Sequence, residues 1–157
     1  MSFEKAKKYL DQKGFGERVQ EFTVSSATVE LAAAALNTAP AHIAKSLTFS
    51  VDEKPVMVIC AGDTKIDNHK YKEFFKKKAS MLSFDDVGRL IGHEVGGVCP
   101  FGINDGVAVY CDVSMKRFEI VYPACGSDNS AVKLTPDELF DLSGAIEWVD
   151  VCKIPEA

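Results

Sequence analysis

Apolar residues recur along the chain with two periods, one typical of helices and one typical of strands. At 3–13 the apolar residues form one stripe and lysines occupy the other side, which predicts a helix ended by Gly14. Later helices are predicted from their ends, because a short polar side chain at the N-cap and a glycine after the last turn satisfy otherwise unpaired backbone groups. These segments are 29–36 after Thr28, a turn opened by Pro40 at 41–45, 68–78 after Asp67, 84–91 between Ser83 and Gly92, and a helix from Thr135-Pro136, with Glu138, to about Gly144.

Segments rich in β-branched and aromatic residues lie between these helices and predict strands. The segments 46–51 and 55–61 flank the turn DEKP and are expected to pair as a hairpin. Helices and strands intermingle without the regular repeat of a doubly wound sheet, so we predict a mixed α/β fold of the α+β type, with a largely antiparallel mixed sheet and peripheral helices. The other predicted strands are 18–24, 107–113, 117–123 and 145–151.

Length and composition indicate an ordinary globular protein. The 157 residues suit one domain over 1–157, and 46% hydrophobic and 26% charged residues give no case for disorder. The longest apolar runs, at 31–36 and 56–62, are far shorter than the roughly 20 residues of a membrane span. The N-terminus also lacks the apolar core of a signal peptide, so we expect a cytoplasmic protein without membrane contact.

Cysteines and histidines are scattered singly along the chain. An odd number of cysteines without a signal peptide argues against a disulfide framework, so we expect reduced thiols. No pair of these residues has the spacing of a zinc site, and we expect neither a metal nor another cofactor. The residues are Cys60, Cys99, Cys111, Cys125 and Cys152, with His42, His69 and His93.

The segment GHEVGGVCPFGI, at 92–103, is rich in glycine and almost uncharged. Glycine allows close approach of the backbone to a ligand, and proline fixes its own φ, so the loop is a candidate binding surface made of main-chain amides. In the competing interpretation, Cys99 is a nucleophile activated by His93. An activated thiol needs an adjacent base, which spacing along the chain does not establish.

Two other segments offer polar groups at strand ends. Lys45 stands between a helical turn and a strand, where its amine could bind a phosphate or polarise a carbonyl, although an exposed lysine is equally compatible with the pattern. The segment 123–136 offers Gly126, Ser127, Asn129 and Ser130, which a surface turn would also explain.

A dense basic stretch lies at 65–78, with a local excess of four positive charges in a chain of net charge −5. The overall charge disfavours a surface that attracts nucleic acid everywhere. The stretch itself is a candidate contact for RNA phosphates, or simply the solvated face of an amphipathic helix. Its candidate residues for contact with RNA are Lys70, Lys72, Lys76, Lys77 and Lys78.

Three segments, taken together and in order, resemble the YbaK / prolyl-tRNA synthetase-associated domain family of aminoacyl-tRNA deacylases. The similarity runs from about residue 18 to 151 and includes that family's lysine, here Lys45, and its Gly-x-x-x-Pro loop, here Gly96 to Pro100. The segments are AAAALNTAPAHIAKSLTF, GHEVGGVCPFGI and FEIVYPACGSDNSAVKLTPDEL.

The resemblance implies a free-standing enzyme that hydrolyses amino acids wrongly esterified to tRNA, usually tRNA for proline, within a curved-sheet α/β domain. It implies mischarged tRNA as substrate and prolyl-tRNA synthetase as a possible partner. A non-catalytic module that binds tRNA or a synthetase is the alternative. The implied catalytic residues are Lys45, Gly96, Gly97 and Pro100, and the implied substrate-binding residues are Phe22, Ser46, Val98, Cys99, Phe101, Gly102, Gly126, Ser127 and Ser130.

Two departures from the family pattern bear on specificity. Members that deacylate cysteinyl-tRNA often have a tyrosine where Phe22 stands, and alanine-specific members carry a histidine that CGSDNSAV lacks. The chain looks closer to members with a relaxed preference for small side chains, such as alanine or 2-aminobutyrate.

Overall fold

Helices and strands alternate through the computed structural model, which describes residues 2–155. The predicted domain 1–157 extends beyond this range at residues 1, 156 and 157. The α-helices are α1 (Ser2–Gln12), α2 (Val29–Leu36), α3 (Asn68–Phe75), α4 (Phe84–Asp86) and α5 (Pro136–Ser143), and α4 continues as a π-helical segment (Val87–Ile91). The strands are β1 (Val19–Glu21), β2 (Ile43–Val51), β3 (Lys54–Ala61), β4 (Lys65–Ile66), β5 (Ala108–Asp112), β6 (Tyr122–Pro123), β7 (Ser130–Val132), β8 (Trp148–Val149) and β9 (Cys152–Lys153).

The central sheet has five strands in the order β6-β2-β3-β5-β8. β2 and β3 form the predicted hairpin over eight residue pairs, with Asp52 and Glu53 at positive φ in the turn. The other three pairings are parallel, because β5, β6 and β8 are reached by long connections rather than tight turns. The predicted class, a mixed α/β fold with a mixed sheet, is confirmed, but the central sheet contains more parallel pairing than expected.

The outer edge of β2 is open over a short stretch. β6 covers this edge up to Ala44, and residues 80–82 cover it again at Thr48, where the Leu82 amide donates to the Thr48 carbonyl at 3.1 Å. Alternate residues of an antiparallel strand direct their backbone groups to the same side. The N–H and C=O of Ser46 therefore face the gap, and within residues 2–155 neither has a hydrogen-bond partner.

The two faces of the β2–β3 hairpin pack against different clusters. Met57 and Ile59 face the larger cluster, which includes Ala6 and Leu10 of α1. Val58 and Cys60, on the opposite face, pack with Tyr71 of α3. The hairpin is thus the buried centre of the fold, and β2 carries the edge next to the site described below.

Local signals at helix starts are confirmed. The side chains of Thr28, Asp67, Ser83 and Thr135 all accept backbone N–H groups of the helices that follow them. Thr135 forms a complete capping box with Glu138.

Several predicted lengths are wrong. The helix predicted over 68–78 ends at Phe75, because Lys76 adopts a left-handed conformation with φ 63°. The strand predicted over 117–123 is reduced to β6 because Val113–Arg117 forms a 3-10 turn. The strands predicted over 18–24 and 145–151 are reduced to the short β1 and β8, because each segment is paired over only part of its predicted length.

Candidate functional site

A cavity of about 380 Å³ opens beside the uncovered edge of β2. Its wall combines β2, the start of α2, the segment from 81 to the π-helical turn, the glycine-rich loop and the end of the 123–131 segment. Among the predicted site residues, those that line it are Lys45, Ser46, Gly96, Val98 and Ser130. The fold thus brings together residues from three segments that are distant along the chain.

Lys45 supplies the charge of this cavity. Apart from Tyr122, Lys45 is the only cavity-lining residue within 2–155 that has an ionisable side chain. The side chain is half-buried, and its Nζ donates a hydrogen bond to the Thr64 carbonyl. The cavity therefore has a cationic group at its edge and no carboxylate to neutralise a cationic ligand.

Asp63 lies in the β3–β4 connection, directly before Thr64, and it is paired with another cation. Both carboxylate oxygens of Asp63 accept from Arg117, at 2.6 and 3.0 Å. This hydrogen bonding, with a smaller contribution from the charge of Lys45, lowers the pKa of Asp63. Arg117 thus holds Asp63, which leaves Lys45 on the carbonyl of Thr64.

Several polar groups of the cavity wall have no partner. The hydroxyls of Ser26 and Ser46 are buried, and within residues 2–155 neither makes a hydrogen bond. Both residues line the cavity, and the backbone groups of Ser46 face the same open edge. Buried polar groups are normally paired, so this concentration at one cavity indicates a place for a polar ligand.

The glycine-rich loop and the 126–130 segment pack so tightly that neither Gly97 nor Gly126 has room for a Cβ. A Cβ on Gly97 would lie 2.6 Å from the Ser127 amide nitrogen, and one on Gly126 would lie 2.4 Å from the Ser2 carbonyl oxygen. Gly96 has φ +99°, a conformation that favours glycine. The amides of Gly96 and Val98 donate no hydrogen bond within residues 2–155, so the loop can present main-chain donors to the cavity.

The 126–130 segment is fixed by hydrogen bonds to the residues that precede α2. The Asn129 side-chain amide donates to the Phe22 carbonyl at 3.1 Å, and the Phe22 amide donates to the Asn129 carbonyl at 2.7 Å. The hydroxyls of Ser127 and Ser130 are 2.6 Å apart. These contacts position the residues before α2, including Ser26.

The other predicted site residues lie outside the cavity wall. Phe22 is half-buried beside Asn129, and Gly97, Gly126 and Ser127 line a neighbouring cavity of about 650 Å³. Cys99, Pro100 and Phe101 are buried behind the loop, and Gly102 packs against the backbone of α1 near Lys5. For these residues the structure indicates a supporting position rather than contact with a ligand in the first cavity.

Cys99 and His93 are adjacent, with Sγ 3.5 Å from Nε2, but their environment does not suit a nucleophile. Burial raises the pKa of the Cys99 thiol, and burial lowers the pKa of His93. The His93 Nε2 lies 2.6 Å from the Phe101 carbonyl, so this nitrogen is the donor and cannot accept the thiol proton. The thiol is kept neutral and away from the cavity, which argues against the thiol-hydrolase interpretation.

The basic stretch surrounds the end of α3, away from the cavity wall. Lys70 forms an ion pair with Asp150 at 3.0 Å, and Lys77 forms one with Asp52 at 3.2 Å. The side chains of Lys72, Lys76 and Lys78 are exposed, and among the described residues they have no acidic partner within ion-pair distance.

The residues of the cavity wall that sequence reasoning missed include Ser26, Met81, Phe84 and Val95. Ser26 could have been suspected from its position two residues before the Thr28 N-cap. Val95 lies in the glycine-rich segment 92–103, whereas no sequence signal marks Met81 and Phe84, because their apolar side chains are expected in the core.

Residues 2–155 have neither a metal-binding cluster nor a membrane-spanning helix. They contain no cluster of three or more histidine, cysteine or acidic side chains placed to hold a metal ion. No helix in this range has the length and apolar character needed to cross a bilayer.

The chain is similar to a known protein family and to several individual proteins. The aminoacyl-tRNA editing domain family matches residues 23–142. The uncharacterized protein YwhH of Bacillus subtilis (strain 168) is 47% identical over 154 residues, covering 98% of both chains. The proline–tRNA ligase of Bacillus cytotoxicus is 32% identical over 107 residues, and the match spans 68% of this chain and 19% of that enzyme.

Solved structures show the same fold. A crystal structure described provisionally as a trans-editing enzyme for prolyl tRNA synthetase has a TM-score of 0.87 and 27% identity, covering 97% of both chains. That of the hypothetical protein APE2540 has a TM-score of 0.84 and 25% identity, covering 95% of this chain and 99% of that one. With the family match over residues 23–142, these similarities show that the chain belongs to the aminoacyl-tRNA editing domain family.

Proposed function

We propose that this protein hydrolyses small amino acids that have been wrongly esterified to tRNA, most notably tRNA for proline, as a free-standing editing enzyme of the cytoplasm. The observation that carries the proposal is the meeting of Lys45, the open edge at Ser46 and the glycine loop at one cavity. The names of the proline–tRNA ligases and of the structural neighbour support the choice of tRNA for proline.

The chemistry requires little from the protein beyond positioning. An aminoacyl ester is already activated, so rigid donors directed at the charge that develops on the carbonyl oxygen, together with a positioned water or substrate hydroxyl, are enough to accelerate its hydrolysis. The unpaired amides of Gly96 and Val98 and the ammonium of Lys45 are such donors. In this proposal Lys45 exchanges the Thr64 carbonyl for the substrate.

The wall of the cavity supports a preference for small, uncharged side chains. Val29, Ala32, Ile43 and Ala124 give it an apolar surface, and the lining includes no carboxylate. A lysyl or arginyl side chain would therefore lose its hydration without gaining a counter-ion, which is costly. We propose alanine and 2-aminobutyrate as the preferred groups.

The test is release of amino acid from alanyl-tRNA and 2-aminobutyryl-tRNA for proline by the purified protein. Correctly charged prolyl-tRNA for proline is the matched control and should remain intact. Release from the mischarged tRNAs only is the expected result.

The same experiment tests the alternative, a module that binds without hydrolysis. Binding of these tRNAs without any release above the spontaneous rate, with or without added prolyl-tRNA synthetase, would favour that module. Release that appears only when the synthetase is added would identify the synthetase as a required partner.

A further inference from the structure

Three large apolar side chains lie exposed at the mouth of the cavity. Phe84 is 74% exposed, Met81 is 61% exposed and Val95 is 51% exposed, and all three belong to the cavity wall. A single exposed apolar residue is common, but a group gathered around one opening indicates a binding surface.

Packing within the protein does not explain the position of Phe84. Its ring pairs with no other aromatic ring within residues 2–155, whereas Phe74 and Phe75 form edge contacts with Tyr110. Phe84 and Met81 do not belong to the buried or partly buried residues of the hydrophobic clusters of this range. The backbone that carries the ring is nevertheless held in place, because Ser83 caps the helix that begins at Phe84.

The proposed substrate determines which chemical group lies at the mouth of the cavity. If the aminoacyl group occupies the cavity, as the proposed function requires, then its ester links it to the ribose of the last nucleotide of the tRNA. The nucleobase of that nucleotide must lie one sugar away from the ester, at the opening and not inside. The occupant of the rim is therefore a nucleobase.

The segment that carries Met81 is fixed beside the cavity. Residues 80–82 lie along the edge of β2, where they are held by pairing with this strand. The apolar rim therefore has a fixed place at the opening.

We propose that Phe84 is a stacking platform for the terminal nucleobase of the tRNA, with Met81 and Val95 as its apolar rim. Bases of single-stranded RNA commonly stack on aromatic side chains, and such stacking tolerates any base because every base has a π-face. The inference rests on the proposed function for the identity of the ligand and on the exposed ring for the site.

The test compares two alanyl esters, one on adenosine and one on a simple alcohol without a base. Phe84→Ala is expected to lower kcat/KM for the adenosine ester by about 5- to 150-fold, mostly through KM, and to leave the simple ester unchanged. Phe84→Trp should retain the wild-type values and Phe84→Leu should not, because only the former keeps an aromatic face. Ile146→Ala is the matched control, since Ile146 is 58% exposed and lies outside the cavity wall.

Two results would overturn the proposal: an equal loss on both esters, or no loss on either. Binding of adenosine monophosphate, followed by chemical-shift changes of the protein, gives a readout that does not depend on hydrolysis. If the wild type hydrolyses nothing but binds the nucleotide through Phe84, the proposed function fails and the stacking site stands. If Phe84→Ala binds the nucleotide as the wild type does, the stacking site fails.

Discussion

At the scale of single residues, Lys45 is the clearest target, because it is the basic residue of the cavity wall. Lys45→Ala should lower deacylation by about 100-fold or more, the effect of losing one electrostatic stabiliser of a transition state. The protein should remain folded, as judged by its thermal transition. The measurement is kcat/KM on mischarged tRNA.

Lys54→Ala is the matched control for this substitution, since Lys54 is an exposed lysine of the same hairpin outside the cavity wall. It should leave kcat/KM unchanged. Equal turnover by the two variants would remove Lys45 from the mechanism.

Cys99 gives the opposite expectation. Cys99→Ser should retain most of the activity, because the thiol is buried and neutral and Cys99 does not line the cavity. Removing a true nucleophile costs about 10⁴-fold or more. A loss of that size in a folded Cys99→Ser variant, measured with the same tRNA substrate, would restore the thiol mechanism.

The sequence predicts residues of this site when their chemistry depends on their own segment. Lys45 and Gly96 could be predicted because a lysine next to a strand-forming run and a glycine-rich loop are local patterns, whereas Ser46 followed only from the family resemblance. Phe84 could not be predicted, because its exposure depends on what packs around the start of α4. The unpaired hydroxyl of Ser26 likewise depends on contacts made across the fold.

At the scale of elements, the same distinction separates helix starts from strand lengths. An N-cap such as Thr135 needs only residues within one turn, so its pattern suffices to predict it. The lengths of β6 and β8 depend on partners distant in sequence, and the apolar runs that contain them extend beyond the paired residues. The parallel pairing of the central sheet was missed for the same reason.

The contact between the glycine loop and the 126–130 segment can be tested at Gly97. Gly97→Ala places a methyl group 2.6 Å from the Ser127 amide nitrogen, so backbone must move. The expected cost is about 1–3 kcal/mol in the free energy of unfolding, with reduced activity because both walls of the cavity shift. Denaturant unfolding and kcat/KM measure the two effects.

Gly88 provides the control, because it lies in the π-helical segment and a Cβ there would meet no atom within 4 Å. Gly88→Ala should leave stability unchanged or raise it slightly, as alanine favours helix over glycine. If Gly97→Ala and Gly88→Ala have the same free energy of unfolding, the tight contact at Gly97 does not contribute to stability.

At the scale of the whole molecule, the question is whether the basic stretch holds the tRNA body. Lys72 and Lys78 are exposed and unpaired among the described residues, so reversing their charges breaks no ion pair of the fold. The double change Lys72→Glu with Lys78→Glu should raise KM for charged tRNA and make its salt dependence shallower by about one to two units of slope. Hydrolysis of alanyl-adenosine should not change.

Reversal of Lys8 and Lys133 is the control, since both are exposed and lie outside the cavity wall and the basic stretch. This double reversal changes the net charge by the same amount as the double change at Lys72 and Lys78. If the two double variants have equal KM values and salt slopes, the basic stretch is a solvated helix face and the tRNA body is bound elsewhere.

The unpaired stretch of β2 makes it possible to detect a bound ligand by hydrogen exchange of the backbone. The amides of Lys45 and Leu47 pair with β3 in the middle of the sheet, where hydrogen exchange with solvent is slow, whereas the Ser46 amide between them is unpaired. Exchange at Ser46 should therefore be fast in the free protein and slow once a ligand covers the strand edge. The rate at this one amide would report binding of an uncleavable aminoacyl analogue without any turnover.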